Sequence, residues 1–386
     1  NYNVLIGDEA GTALTTGDNN VAIGFEALST EDANGNNVAI GYRSLKTLNA
    51  GAEAYTTAVG LDSGTSLTTG VRNTIMGAFT GDALTDADYN VAIGYAALTG
   101  DTKGSNSVAI GYETLLAQNF TTATDSLNVA VGYRAGTAVT TARGNTLVGS
   151  AAGDALTVGN ANVAMGYNSL GGDTKGDRNV AIGYEALLTQ NFTTSTDSYN
   201  TAVGFHAGTA ITTGVENTLI GGLAGDAITA AGSNVAVGYE SLSTETGGQN
   251  NVAIGRSALA SQVNSSGNIY NTAVGSQAGA SVTTGIYNTL VGGLAGDALT
   301  DADYNVAIGA NALGQNTVGS RSVAVGYGAL TSHNPATASD SYNTAVGMLA
   351  GENVTTGADN TLIGGLAGDA LTTGGENVVV GYNALH

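Results

Sequence analysis

The segment Asn90-Val91-Ala92-Ile93-Gly94-Tyr95 is one copy of a pattern that fills the chain. Its core, Asn-Val/Thr-apolar-Ile/Val/Met-Gly, recurs 22 times between Asn3 and Gly381, and sixteen of the 21 glycine-to-glycine intervals are 17 residues. The longer intervals, of 19, 21, 21, 20 and 21 residues, fall at every fourth step. Gly60, Gly132, Gly204, Gly275 and Gly347, which close them, are therefore 72, 72, 71 and 72 residues apart. A fixed period of this kind marks a repeat architecture, in which each unit buries its apolar face only against its neighbours.

Seventeen residues are too few for a two-helix repeat, and a glycine inside the signature opposes helix. Val, Ile, Thr and Tyr favour strands, while Thr-Thr-Gly and Asp/Asn/Gly clusters supply turns. The sequence thus predicts an all-β parallel β-solenoid, or β-roll, of about 22 turns, forming one continuous domain over residues 1–386. No six-residue rhythm of a triangular helix is present, which favours a flatter roll of two sheets. At the ~4.8 Å spacing of hydrogen-bonded strands, such a stack predicts a rod of roughly 105 Å.

Strand alternation puts Val91, Ile93 and Tyr95 on one face and Ala92 and Gly94 on the other. The fourth signature position, occupied by Ile23, Ile40 and Ile93 in three copies, is apolar throughout and reads as a buried column. On that reading an aspartate at Ile182 would bury an unpaired charge. The opposite face is small, mostly alanine, with Leu5, Ile75, Leu147, Leu219, Leu290 and Leu362 at four-turn intervals. A strand apolar on both sides is expected to be covered on both, by a second sheet or a second chain, so a homo-oligomer is expected. Asparagine opens nineteen of the 22 signatures, Asn20, Asn37 and Asn90 among them. Stacked amides form ladders, so these residues, with Gly24, Gly41 and Gly94, read as structural.

Composition narrows the function. The chain has 386 residues, 31 acidic and 10 basic, for a formal net charge of −21, which repels phosphate backbones and argues against nucleic-acid binding. The lack of cysteine excludes disulfides, thiolate metal sites and cysteine nucleophiles. Fifty-nine glycines beside a single proline exclude collagen. No apolar run approaches the ~18 residues of a membrane span. The first residue is not methionine and the pattern starts and stops mid-phase, so a segment of a longer fibre, or chains joined end to end, is expected.

The repeated Asn-Val-Ala-Ile-Gly resembles the head repeat of trimeric autotransporter adhesins. The alternation of Asn-Thr-Ala-Val-Gly, Ala-Gly and Thr-Thr-Gly is similar to the repetitive shafts of phage tail fibres and of related bacterial surface proteins. The resemblance covers nearly the whole chain and implies a left-handed β-roll, trimeric association and a place on a cell surface or virion. The turns here are longer than the adhesin repeat.

Candidate chemistry is sparse. His206, His333 and His386 show no zinc-site spacing, and neither a nucleophile elbow nor a P-loop is present. Asp82, Asp86 and Asp88, with their copies Asp297, Asp301 and Asp303, are weak candidate calcium ligands, and turn-forming aspartate is the better explanation of the recurrence. The long turns carry the candidate recognition loops: Gln118, Asn119 and Phe120; Gln190, Asn191 and Phe192; His333 and Asn334. Each phenylalanine either contacts a glycan or protein partner or folds back to cap its own loop. Asn119 and Asn191 also lie in Asn-Phe-Thr sequons. The expected function is a non-enzymatic, cofactor-free shaft of an extracellular or virion fibre that supports surface attachment. The alternatives are an adhesin whose lateral loops bind glycans or matrix, and a polysaccharide depolymerase on a solenoid scaffold.

Overall fold

Three residues of each signature form a strand, and the glycine that follows ends it. The computed structural model describes residues 2–386 and shows an all-β parallel β-solenoid of about 22 turns, with no helix among the described residues. The chain divides into two compact units, Asn1–Ser198 and Tyr199–His386. The first carries eleven three-residue strands from Val4–Ile6 to Val180–Ile182, and the second eleven from Thr201–Val203 to Val378–Val380. Inside each unit successive strands pair without slip: Ile6 lies on Ile23, Ile23 on Ile40, and Val346 on Ile363.

Axial hydrogen bonds extend beyond the strands. Gly24 N–H donates to Ile6 O (2.8 Å), Glu26 N–H to Asp8 O (3.0 Å), Leu28 N–H to Ser44 O (3.0 Å) and Thr15 N–H to Asp32 O (2.7 Å). The signature glycine permits the spacing. Gly24 has φ +134°, and a Cβ there would lie 2.3 Å from Gly41 O, so a side chain would force adjacent turns apart.

Beyond the glycine the backbone alternates into the left-handed region, with φ 54° at Glu26 and 50° at Leu28. Such a path cannot run as a strand, which corrects the two-sheet expectation. The 17-residue turns hold one sheet and a wall of turns. Two-residue ladders are added where a 17-residue turn meets a long one, Gly104–Ser105 with Thr124–Asp125, Gly176–Asp177 with Thr196–Asp197, and Gly319–Ser320 with Ser339–Asp340. A leucine in the left-handed region costs about 1–2 kcal/mol. Complete burial of Leu28, worth about 1.5–3 kcal/mol, offsets that.

The two strand faces are exchanged relative to the sequence reading. Ala22, Ala39 and Ala92 are fully buried, whereas Ile23, Ile40 and Ile93 form an axial column on the outer face and are only half-buried. The interior between sheet and turn wall is narrow, so it admits alanine and expels the larger side chain. Ile182 likewise stands on the outer face.

The 72-residue superperiod follows from filling that interior. Four residues after each signature glycine the chain places Leu98, Leu115, Gly136 and Gly153, then Leu170 and Leu187. The two glycine turns flank a strand with leucine instead of alanine at its centre. A Cβ at Gly136 would lie 2.7 Å from Leu147 Cδ1, and one at Gly153 would lie 2.8 Å from Leu147 Cδ2. Leu290 faces Gly279 and Gly296, and Leu362 faces Gly351 and Gly368, in the same way. One large side chain from the sheet thus occupies the space that two turns leave open.

Leu147→Ala should therefore destabilise its unit by about 3 kcal/mol, because neither glycine can fill the void. Adding Gly153→Leu should recover more than half, since Leu170 already tolerates the same backbone at φ 53°. Urea denaturation with native-state hydrogen exchange at Ala130–Ala164 checks both; a double variant no more stable than the single one would contradict this packing.

Candidate functional site

Seven residues after each signature glycine a side chain enters the core, and here the interior becomes polar. The column reads Leu84, Asp101, Gln118, Val139, then Leu156, Asp173, Gln190, and later Glu245, Gln262, Val282. Asp101, Gln118, Asp173, Gln190, Glu245 and Gln262 are all fully buried. Burial of a carboxylate requires dense hydrogen bonding, and each acid has it. Asp101 accepts from Gly104 N–H (3.0 Å), Phe120 N–H (3.0 Å) and Gln118 Nε2 (2.6 Å). Gln118 Nε2 also donates to Ser107 Oγ (3.0 Å), and Gln118 Oε1 accepts from Asn128 Nδ2 (2.9 Å). Asp173 accepts from Gly176 N–H (3.0 Å) and Gln190 Nε2 (2.6 Å), while burial pushes its carboxyl above the ordinary aspartate value against those bonds. Glu245 accepts from Gly248 N–H (2.7 Å) and Gln262 Nε2 (2.8 Å).

These relays correct the recognition-loop assignment. Gln118, Phe120, Gln190 and Phe192 are buried because the acid of the preceding turn draws these two long turns inward, and His333 is buried at the same register as Gln118; Phe120 and Phe192 are each 6% exposed. Of the two roles open to the phenylalanines, folding back onto the loop is the one observed. Asn119, Asn191 and Asn334 remain exposed, and their Oδ1 atoms accept from the hydroxyls of Thr102 (3.1 Å), Thr174 (2.8 Å) and Thr317 (2.7 Å). A count from the signature glycine finds the column: Gln118 shares the register of Leu84 and Val139.

The relay that leads into the last long turn is altered. Asn316 and His333 stand where Asp101 and Gln118 stand, and Ser322 where Ser107 stands. Asn316 still binds the backbone of Gly319, but both ring nitrogens of His333 and the hydroxyl of Ser322 are buried without a hydrogen-bond partner. Burial lowers the His333 pKa below its ordinary 6.5, against a smaller opposing effect of the Thr355 backbone.

The signature asparagines bind along the axis and across the turn. Asn37 N–H donates to Asn20 Oδ1 (3.0 Å), Asn20 Nδ2 to Asn34 O (3.1 Å), and Asn90 Nδ2 to Gly104 O (2.9 Å). The candidate calcium ligands disperse. Asp82 accepts from Thr99 Oγ1 (3.0 Å), Asp86 faces Lys103 Nζ (3.5 Å) and Asp88 accepts from Val71 N–H (2.7 Å). Asp301 accepts from Thr300 Oγ1 (3.3 Å) and Asp303 from Ile286 N–H (2.8 Å), while Asp297 recurs at the half-buried turn position of Asp82. Among the described residues no three His, Asp or Glu side chains gather as a metal site. Burial is the main cause raising the pKa of Asp82, Asp154, Asp226 and Asp297.

The outer sheet face carries aromatic columns. Tyr95, Tyr112 and Tyr133 stack at 5.4 and 5.3 Å between ring centroids, and Tyr270, Tyr287 and Tyr304 at 5.5 and 5.0 Å, with Arg321 4.8 Å from the Tyr304 ring. Among the described residues no helix is long and apolar enough to cross a membrane. No protein-family model and no curated protein matches the chain.

Two outcomes of opposite sign follow with pH. The folded state binds protons to the half-buried aspartates more readily than the unfolded chain, so stability lost above their raised pKa values returns as pH falls towards 4. Asp154→Asn should therefore be neutral or stabilising at pH 7 in thermal melts. His333 behaves oppositely: its turn is intact above about pH 6.5 and weakens below it. Asn316→Asp combined with His333→Gln should rebuild the relay, add about 1–3 kcal/mol at pH 7 and remove the weakening. Hydrogen exchange at Val323–Val325, followed from pH 7.5 to 5, reads this directly; identical profiles in parent and variant would refute it.

Proposed function

We propose that this chain is a segment of a non-enzymatic structural fibre, outside the cell or on a virion, whose shaft is a homo-oligomer and supports surface attachment. One observation supports the reading most: strands stack in register, leaving an uncharged face of Val, Thr, Ile and Met flanked by tyrosines half-exposed in each unit. Met76 and Met165 are 41% and 40% exposed, and Tyr95 and Tyr133 48% and 54%. Eleven strands of three residues make a flat strip on the order of 500 Å², at the size that marks an interaction surface.

The occupant we assign is a second copy of this chain. Only another face with the same ~4.8 Å pitch meets every rung. A net charge of −21 repels copies everywhere except across such a neutral strip. Three-fold closure, as the resemblance to adhesin heads implies, is the arrangement proposed. Stiffness would come from axial hydrogen bonds, and colloidal stability from the acidic remainder. The adhesin reading loses its phenylalanine contacts, since both rings are buried.

Light scattering coupled to size exclusion should show an oligomer at micromolar concentration. Ile93→Glu with Ile110→Glu should give a monomer with unchanged far-ultraviolet circular dichroism, because both side chains already face outward. A parent chain that is monomeric, or a variant that stays assembled, would remove the homo-oligomeric shaft.

A further inference from the structure

Where tyrosine follows a signature glycine, the next residue is Glu113, Glu185 or Glu240 in three turns and Arg43, Ala96, Arg134, Asn168 or Asn383 in five others, but Gly328 after Tyr327. At Tyr112 and Tyr239 the neighbouring glutamate engages the phenol closely enough to raise its pKa. At Gly328 that side chain is missing, and a notch of about 310 Å³ opens between Asn311, Tyr327, Thr331, Leu349 and Glu352. Its volume is at the small end of ligand pockets, enough for one ring but not for an extended chain.

The lining is specific in kind. Tyr327 is 56% exposed and, unlike Tyr95, Tyr112 and Tyr133, stacks on no other ring among the described residues; the register positions before and after it carry Ala310 and Met348. An open aromatic face beside Leu349 suits the C–H face of a sugar. Around it stand a carboxylate, which only accepts, an amide, which both donates and accepts, and a hydroxyl. Thr331 Oγ1 directs its proton to Gly328 O (2.7 Å) and Asn311 O (3.2 Å), which leaves its lone pairs for an incoming hydroxyl. That set matches a pair of adjacent sugar hydroxyls. Glu352 and the −21 net charge disfavour uronic or sialic acids.

We propose that the notch over Gly328 is a saccharide subsite, seating one neutral or N-acetylated pyranose against Tyr327 with its hydroxyls on Glu352, Asn311 and Thr331. Nothing in this assignment depends on the fibre reading. A single ring in a half-open site implies a dissociation constant on the order of 1 mM for a monosaccharide, useful where many copies act together.

Saturation-transfer NMR on the full chain tests it, with methyl glucoside, methyl galactoside, methyl mannoside and N-acetylglucosamine as probes. At least one should receive saturation on its C–H face. Gly328→Glu should abolish the transfer by placing in the notch the side chain that Glu113, Glu185 and Glu240 carry at this position. It should fold, since Glu113 and Glu240 hold φ 51° and 55° at the same position and a Cβ at Gly328 meets side-chain ends, Leu349 Cδ2 (2.6 Å) and Thr331 Oγ1 (3.2 Å), and no backbone. Tyr327→Ala should weaken binding at least tenfold, while Tyr112→Ala should leave it unchanged. Absence of transfer to all four sugars, or transfer that persists in Gly328→Glu, would overturn the subsite.

Discussion

Axial contact between backbones governs this molecule. Each turn lies on the next closely enough that a signature glycine such as Gly24 has no room for a Cβ beneath the carbonyl of Gly41. That approach fixes register, because a slip of one residue would drive Val21 or Ile23 into the space that Ala22 occupies. It also explains how a chain with three-residue strands can be regular. Turn residues that would be loops elsewhere hydrogen-bond to their equivalents 17 residues away, so the turn wall is as ordered as the sheet.

A narrow interior is the second consequence. The space between sheet and wall admits alanine from the strand and leucine from the turn, or leucine from the strand and glycine from the turn. Leu147 between Gly136 and Gly153 shows the exchange most plainly. Buried acids obey the same geometry. Asp101, Asp173 and Glu245 each receive backbone N–H groups and one glutamine amide, which makes them anchors for the turns above rather than reactive groups. Because each strand turns its central residue, mostly alanine or leucine, inward, its two flanking Val, Thr, Ile or Met side chains are left outside, and the case for self-association follows from that arrangement.

The fold was legible because the period is nearly invariant: 17-residue spacing with β-branched residues and glycine leaves few architectures. Which face is buried was not legible from hydropathy, since Ile23 outranks Ala22 on any such scale while the width of the interior decides the matter. Gln118 reads as a surface feature because it lies in a long turn, and Phe120 there reads equally as a partner contact or a cap of its own loop. Counting from Gly111 instead puts Gln118 in the same column as Leu84 and Val139, a signal present in the sequence. The notch at Gly328 leaves one trace in the sequence, a glycine where every other Gly-Tyr turn carries a side chain, and its enclosure by Leu349 and Glu352 required coordinates.

The most direct test of in-register stacking is an engineered disulfide between adjacent rungs. The chain has no native cysteine, and Ile93 and Ile110 are Cα partners in neighbouring strands, within the separation a disulfide spans. Ile93→Cys with Ile110→Cys should oxidise within one chain under mild conditions and keep the native circular dichroism. Failure of that bond to form within the folded chain, at a dilution that keeps chains apart, would contradict in-register stacking of the turns.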